Sequence, residues 1–236
     1  MSKSTLTIRL NEHRLRKQFV DHEFFRRVKI SPLTKEQAAV FIGQWWHPLH
    51  YFPTFLARCV ATLADIESMS AVSKILSQET GEGNPKRAHE IVYIKTMERA
   101  GFTTAQVTGA APFPETQALV AGYSRASEER LSALGYIFAT EVADLTMVSG
   151  IGTAVSKATG ARDLEWVNIH VQQEPDHVEE AERTMLSGFS AQEETLVMKG
   201  AEEMWRLWTA FFDRLEKEVF TPTFSTRESE REVVIA

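Results

Sequence analysis

His170, Glu174 and His177 are spaced four and three residues apart, and at about 100° per helical residue they fall within an arc of roughly 60°. Leu164, Val167, Val171, Val178, Ala181 and Met185 recur around them at the same helical spacing, so a stripe expected to face a core carries two imidazoles and a carboxylate. Burying such groups without partners costs several kcal/mol. Metal coordination is one of the few arrangements that removes this penalty. Two other segments repeat the pattern. Glu141 stands in the series Leu131, Leu134, Phe138, Leu145, Val148, and Glu79 ends the series Ile66, Met69, Val72, Leu76. His89 follows beyond Gly81-Glu82-Gly83-Asn84-Pro85, a break that lets the chain reverse and bring both side chains to one point.

Taken singly, each residue has a plainer explanation. A lone His on a core face is usually just hydrogen-bonded, a lone helical Glu is usually solvated, and the His-x3-Glu-x2-His spacing alone is more often structural than metal-binding. Convergence changes the balance: three helices each place acids or histidines at interior positions, as in helical bundles that hold two iron or manganese ions. Three carboxylates leave one negative charge in excess around a single divalent ion and one positive charge in excess around two, which an oxide, hydroxide or substrate anion can neutralise. Two ions are favoured. No cysteine belongs to the set, so iron or manganese fits better than thiolate-bound zinc. Glu82 competes with Glu79 for the ligand role, but only Glu79 continues the stripe of residues 69, 72 and 76.

The elements that must position these residues are helices. Apolar residues recur at three- and four-residue spacing along nearly the whole chain, and no strand-like alternation persists beyond a few residues, which predicts an all-α fold of roughly seven helices. The main spans are 8–27, 34–62, 66–80, 86–100, 127–157, 163–187 and 191–219, with a shorter one near 115–123. The first ends at Ser31-Pro32. The second opens on Thr34 as N-cap with Gln37 at the capping-box position, and Pro48 and Pro53 predict bends that turn backbone carbonyls toward a cavity. No repeat or linker divides the chain, so one domain over 1–236 is expected, with 221–236 a loosely attached polar tail.

Composition excludes several classes. Of 236 residues, 25% are charged and 43% hydrophobic, with 12 Gly and 8 Pro, which is globular and too poor in turn formers for a tight-turned β architecture. A formal charge of −6 with no Lys/Arg cluster argues against nucleic acid as a partner. Cys59 is the one cysteine, so no disulfide forms within the chain and a reducing compartment fits. The N-terminal segment lacks the apolar run of a secretory signal, and a cytoplasmic location is expected. Residues 37–64 contain no acid but carry Arg58, His47, His50, Pro48 and Pro53, too polar and broken a set for a membrane span.

The segments QETGEGNPKRAH (78–89), ATEVAD (139–144) and HVQQEPDH (170–177) resemble the ligand motifs of the haem-oxygenase-like dimetal oxidases, and the similarity extends over about residues 10–220. The resemblance implies a seven-helix haem-oxygenase-like bundle holding two non-haem Fe(II) ions, with manganese the alternative, and O2 as co-substrate. It also implies oxidation of a small molecule, above all an amino-acid- or amine-derived one, by N-oxygenation, desaturation or oxidative C–C cleavage. Carried over position by position, the ligands are Glu79, His89, Glu141, His170, Glu174 and His177, with no catalytic residue beyond them. The partners are a small-molecule substrate and, as open alternatives, an external electron donor and a second copy of the chain in a homodimer. Nucleic acid and membrane are not among them.

The sequence also departs from the family. Position 174 is Glu where relatives more often have Asp. HEFFRR around Phe25 and LTKEQ around Lys35 look like the self-sacrificing para-aminobenzoate synthases, whose tyrosines are here Phe25 and Thr140. N-oxygenating relatives carry an extra carboxylate on the second helix; none occurs here, and His50 is the candidate replacement, while the role of His47 stays open. A fatty-acid-decarboxylating member would need an apolar channel, for which Trp45, Trp46, Phe52 and Phe55 are available. His22 as a haem ligand would leave the six interior residues unexplained. Cys59 would be the nucleophile of a thiaminase-like member, and a metal-free interaction module is the remaining alternative.

Overall fold

Caps decide where the N-terminal helices begin and end. The computed structural model describes residues 4–31, 33–186 and 188–220, and the single helix expected over 8–27 is three: α1 (Thr5–Asn11), α2 (Arg14–Val20) and α3 (Glu23–Ile30). His13 and His22 stand before α2 and α3, and their Nδ1 atoms accept from the backbone N–H of Leu15 (3.3 Å) and Phe24 (3.1 Å). Each so satisfies a helix-start donor. The apolar period survives the breaks because the short helices line one core, with Phe19, Phe24, Phe25 and Val28 buried.

α4 (Lys35–Thr62) opens with the expected capping box of Thr34 and Gln37 and runs on through Pro48 and Pro53. α5 (Ile66–Glu79) leads through a tight turn and a 3-10 turn at Pro85–Arg87 to α6 (His89–Arg99). A short α7 (Thr104–Thr108), unforeseen in the sequence, precedes α8 (Pro114–Ala126), α9 (Arg130–Thr159), α10 (Glu165–Thr184) and α11 (Ala191–Phe220). Among the described residues there are eleven α-helices and no strand. The expected count of seven falls short because the first helix is divided and short connecting helices add to the total. Pro32, Ser187 and the 221–236 tail lie outside the described residues.

α9 is the central element, packed against α11, α10, α4 and α3. It is long and apolar enough to cross a bilayer, yet 72% of its most apolar window is buried inside the bundle, the pattern of a core helix. Its approach to α11 depends on two glycines. A Cβ on Gly135 would lie 2.2 Å from the Val197 carbonyl oxygen, and one on Gly200 2.8 Å from that of Ser132, so the backbones touch where side chains would hold them apart. Trp205 Nε1 donates to the Ala139 carbonyl at 3.1 Å and fixes the register one turn further on.

α10 is held at both ends. The Trp166 N–H donates to Thr96 Oγ1 of α6 at 3.2 Å, and buried Glu180 accepts from Lys74 of α5 at 2.9 Å and from Arg183 at 2.8 Å. Pro175 lies inside the helix and frees the carbonyl of Val171, whose residue is 50% exposed, so water can satisfy it. Val171, Leu145 and Ile66, all assigned to core stripes from the sequence, face solvent. The buried arc of α10 is centred on His170, Glu174 and His177 themselves, and Val171 sits about 100° round from His170. Ile66 opens α5, at its very end.

Gly135→Ala is expected to destabilise the protein by about 2 kcal/mol or more, because the added methyl has no room between two helix backbones. Helix propensity alone would make the change favourable by about 1 kcal/mol. Urea unfolding decides: a variant at least as stable as the parent would show that the contact can relax.

Candidate metal centre

The six residues come from four helices. Glu79 is the last residue of α5 and His89 the first of α6, while Glu141 lies mid-way along α9 and His170, Glu174 and His177 share one face of α10. All six are buried, at 5% exposure or less. They form two clusters: Glu79, His89 and His170 in one, Glu141, Glu174 and His177 in the other, each with donor atoms within 4.8 Å of one another. The α5–α6 turn brings Glu79 and His89 together. Gly81 and Gly83 take φ of +85° and +82°, and a Cβ on Gly81 would meet the Asn84 carbonyl oxygen at 2.3 Å. Glu82, the competing acid, points away and pairs with Arg87 at 3.1 Å, about half exposed.

Hydrogen bonds set the tautomers. His170 Nδ1 donates to the Trp166 carbonyl at 2.9 Å, which leaves Nε2 as its free lone pair. His89 Nε2 donates to Gln173 Oε1 at 3.0 Å, and its Nδ1, turned into the cluster, lies 3.0 Å from Glu79 Oε1. Such outer hydrogen bonds fix ring orientation in metal sites. Gln173 was not singled out from the sequence, although it precedes Glu174. In the second cluster His177 Nδ1 lies 3.4 Å from Glu141 Oε2.

Electrostatics separates the groups. Burial would raise the Glu79 carboxyl, but His89, and more weakly His170 and His177, outweigh it and hold it near 2. Burial and the repulsion of His89 push His170 down to about 3, so it is a neutral imidazole. Burial opposes the charging of His177, yet Glu141 outweighs it and raises the ring to about 9. Glu174 is driven well up by burial and by the carboxylates of Asp144 and Glu141. Asp144, one turn after Glu141, rises for the same reasons. It too escaped notice in the sequence, although it ends the ATEVAD segment.

The donor set passes a test of fit. His89 Nδ1, Glu141 Oε1, both oxygens of Glu174 and His177 Nε2 are buried without a hydrogen-bond partner. Orphaned buried polar atoms are rare in native folds, and five of the fourteen among the described residues belong to four of the six candidate ligands. Carboxylate oxygen and imidazole nitrogen without thiolate suit iron or manganese.

The clusters border a narrow cavity of about 30 Å³ between α4, α5, α8, α9, α10 and α11. Trp45, Phe52, Tyr123, Trp166 and Trp208 form much of its wall, and no Lys or Arg lines it. Tyr123 Oη and Thr140 Oγ1 are hydrogen-bonded at 3.0 Å. Pro48 and Leu49 of α4 reach the cavity, but of the four aromatic residues considered for a channel only Trp45 and Phe52 line it.

Other candidates fall elsewhere. His50 is 61% exposed and paired with Glu90 at 2.7 Å, so it does not replace an interior carboxylate. His47 Nε2 donates to the Ala110 carbonyl at 2.9 Å. Both nitrogens of His22 are engaged, by the Phe24 N–H and by Asp213, which leaves none for a haem iron. Phe25 packs among Phe19, Phe24 and Phe212. Cys59 is fully buried, and burial pushes its thiol far up, so it is not a ready nucleophile.

A family model described as iron-containing redox enzyme matches residues 39–209, a span that contains both clusters. The chain belongs to that family. Its fold is haem-oxygenase-like: it is similar to a solved domain of unknown function with a heme oxygenase-like fold from Shewanella denitrificans, at TM-score 0.71 and 18% identity over 86% of this chain and 88% of that one. A CADD-like protein of unknown function from Nostoc punctiforme superposes at TM-score 0.76 with 13% identity, covering 91% and 95%. A TenA homologue from Pseudomonas syringae pv. tomato gives 0.72 with 14% identity, covering 92% and 94%. At these identities the likeness concerns the fold alone. No curated protein matches the sequence significantly.

Gly81→Ala is expected to loosen the turn that unites Glu79 with His89, since a Cβ both clashes and disfavours the left-handed backbone by about 1–2 kcal/mol. Amide exchange is the measurement: amides of residues 88–93 should lose protection while those of α11 keep theirs. Unchanged protection at 88–93 would show that the turn does not depend on this glycine.

Proposed function

We propose that the protein is an O2-activating non-haem diiron oxidase acting on a small molecule, amino-acid- or amine-derived, by N-oxygenation, desaturation or oxidative C–C cleavage. Glu79, His89 and His170 would hold one ion and Glu141, Glu174 and His177 the other. The observation that carries this reading is the pair of buried donor clusters, with five orphaned atoms between them, beside a cavity walled by aromatic side chains. A metal-free interaction module would have no reason to keep those groups buried and unpaired.

Two bound irons would supply the capacity to reduce O2 and to draw electrons from a substrate held next to them. The chain's own side chains do the rest. The Trp166 carbonyl and Gln173 hold the His170 and His89 rings with their lone pairs turned inward. His177 must give up a proton for its nitrogens to act as ligands, so metal uptake releases protons at neutral pH. The indole and phenyl walls exclude water and present flat apolar surface, while the Tyr123–Thr140 hydroxyl pair offers a polar anchor. The lack of tyrosine at positions 25 and 140 weighs against the para-aminobenzoate-synthase-like alternative. An external electron donor completes the reading.

Anaerobic titration with ferrous iron should reach two ions per chain, and His170→Ala should lose one. O2 uptake by the loaded protein should accelerate with a suitable amine or amino acid. A plateau at one ion or fewer, unchanged by His170→Ala, would sink the dimetal reading.

Iron should also order the α5–α6 region, where Glu79 and His89 depend on a glycine-rich turn rather than on a long helix. Amides of residues 79–100 are expected to gain at least about tenfold protection on iron loading, with α11 little changed. Equal protection with and without iron would contradict this coupling.

A further inference from the structure

Asp144 is the charged group at the centre that the six-ligand reading leaves without a task. It follows Glu141 by three residues on α9, so both carboxylates leave the same helix face. It lines the cavity beside Glu141 and His177, and across the α9–α10 contact it is one of the carboxylates that push the Glu174 carboxyl up. Two ionised carboxylates have no proton to share, so this contact is repulsive unless a cation or a proton intervenes. Glu174 is only 3% exposed, and neither of its oxygens has a donor. Glu141 Oε1 and His177 Nε2, the neighbours on either side, are orphaned as well. The contrast with Glu180, six residues further along α10, is direct: that buried acid is neutralised by Lys74 and Arg183. No Lys or Arg lines the cavity to do the same for Asp144 and Glu174.

We propose that Asp144 is a seventh ligand of the centre, adding a carboxylate to the ion held by Glu141, Glu174 and His177. The inference rests on the dimetal reading above. Asp144 is not among the three residues whose donor atoms share the 4.8 Å spacing; it approaches the ion from the cavity wall, and its two side-chain torsions provide the adjustment. The two positions then differ in chemistry. One has a single carboxylate and two imidazoles, the other three carboxylates and one imidazole, a harder oxygen-rich set. Four carboxylates also balance two divalent ions completely, so the centre needs no added anion to be neutral.

The test compares the full-length protein with Asp144→Asn and Asp144→Glu, each stripped of metal and titrated anaerobically with Co(II), whose visible absorption reports coordination. Wild type should bind two ions. Asp144→Asn should keep the first and bind the second at least about tenfold more weakly, with altered absorption, and Asp144→Glu should retain both. Thermal unfolding supplies an independent readout. Co(II) should raise the melting temperature of Asp144→Asn by less than it raises that of wild type and of Asp144→Glu. A merely structural role would lower the variant's melting temperature equally with and without Co(II). Binding of two ions by Asp144→Asn with wild-type affinity and absorption would overturn this proposal alone, and a wild-type plateau below two ions would overturn it together with the dimetal reading.

Discussion

Buried charge is the constraint on which the rest of the structure depends. Six ionisable side chains, each at most 5% exposed, meet in the interior of the bundle, where an uncompensated carboxylate or imidazolium costs far more than any single apolar contact returns. Such a cluster persists only in a scaffold that over-determines it. α9 is buried nearly all round and carries Glu141, the touching glycines lock it against α11, and α10 is pinned at both ends by Thr96 and by Lys74. The parts of the fold that look purely architectural hold the acids and histidines where none would settle unaided.

Within the centre the two clusters solve the same problem differently. Glu79 and His89 neutralise each other, with His170 kept neutral beside them. Glu141 and His177 form the corresponding pair on the other side, but Glu174 and Asp144 are left facing each other with no cation from the protein. The first cluster pairs its one carboxylate with imidazole; the second has carboxylates in excess of its one imidazole, and burial and mutual repulsion drive Glu174 and Asp144 toward the protonated form. That asymmetry is a property of which residues α9 and α10 bring together, and it makes the second position the more demanding of a bound ion.

The fold sets these limits without dictating the chemistry, since one scaffold hosts many reactions. The haem-oxygenase-like architecture is shared with a TenA homologue and with a CADD-like protein, and the chemistry is set by the side chains in the interior. Cys59 is a small buried hydrophobe and His22 a helix cap. The cavity wall carries acids, hydroxyls, imidazoles and indoles but no Lys or Arg.

Sequence alone determined the helical class, the capping box at Thr34, the break after Glu79 and the helix faces on which the six acids and histidines lie, because all of these follow from local spacing and backbone preference. It chose Glu79 over Glu82 from a stripe of three residues, and the structure buries the one and exposes the other. Other features were decided only in three dimensions. The division of 8–27 into three helices turned on histidines acting as caps, a role their type does not announce. Val171 and Leu145 looked like core and are exposed, since which side of a helix is buried depends on what packs there and not on its own apolar residues. The partition into two clusters, the outer bond from Gln173 and the approach of Asp144 to Glu174 join residues on different helices. No periodicity within one segment encodes the distance between two of them.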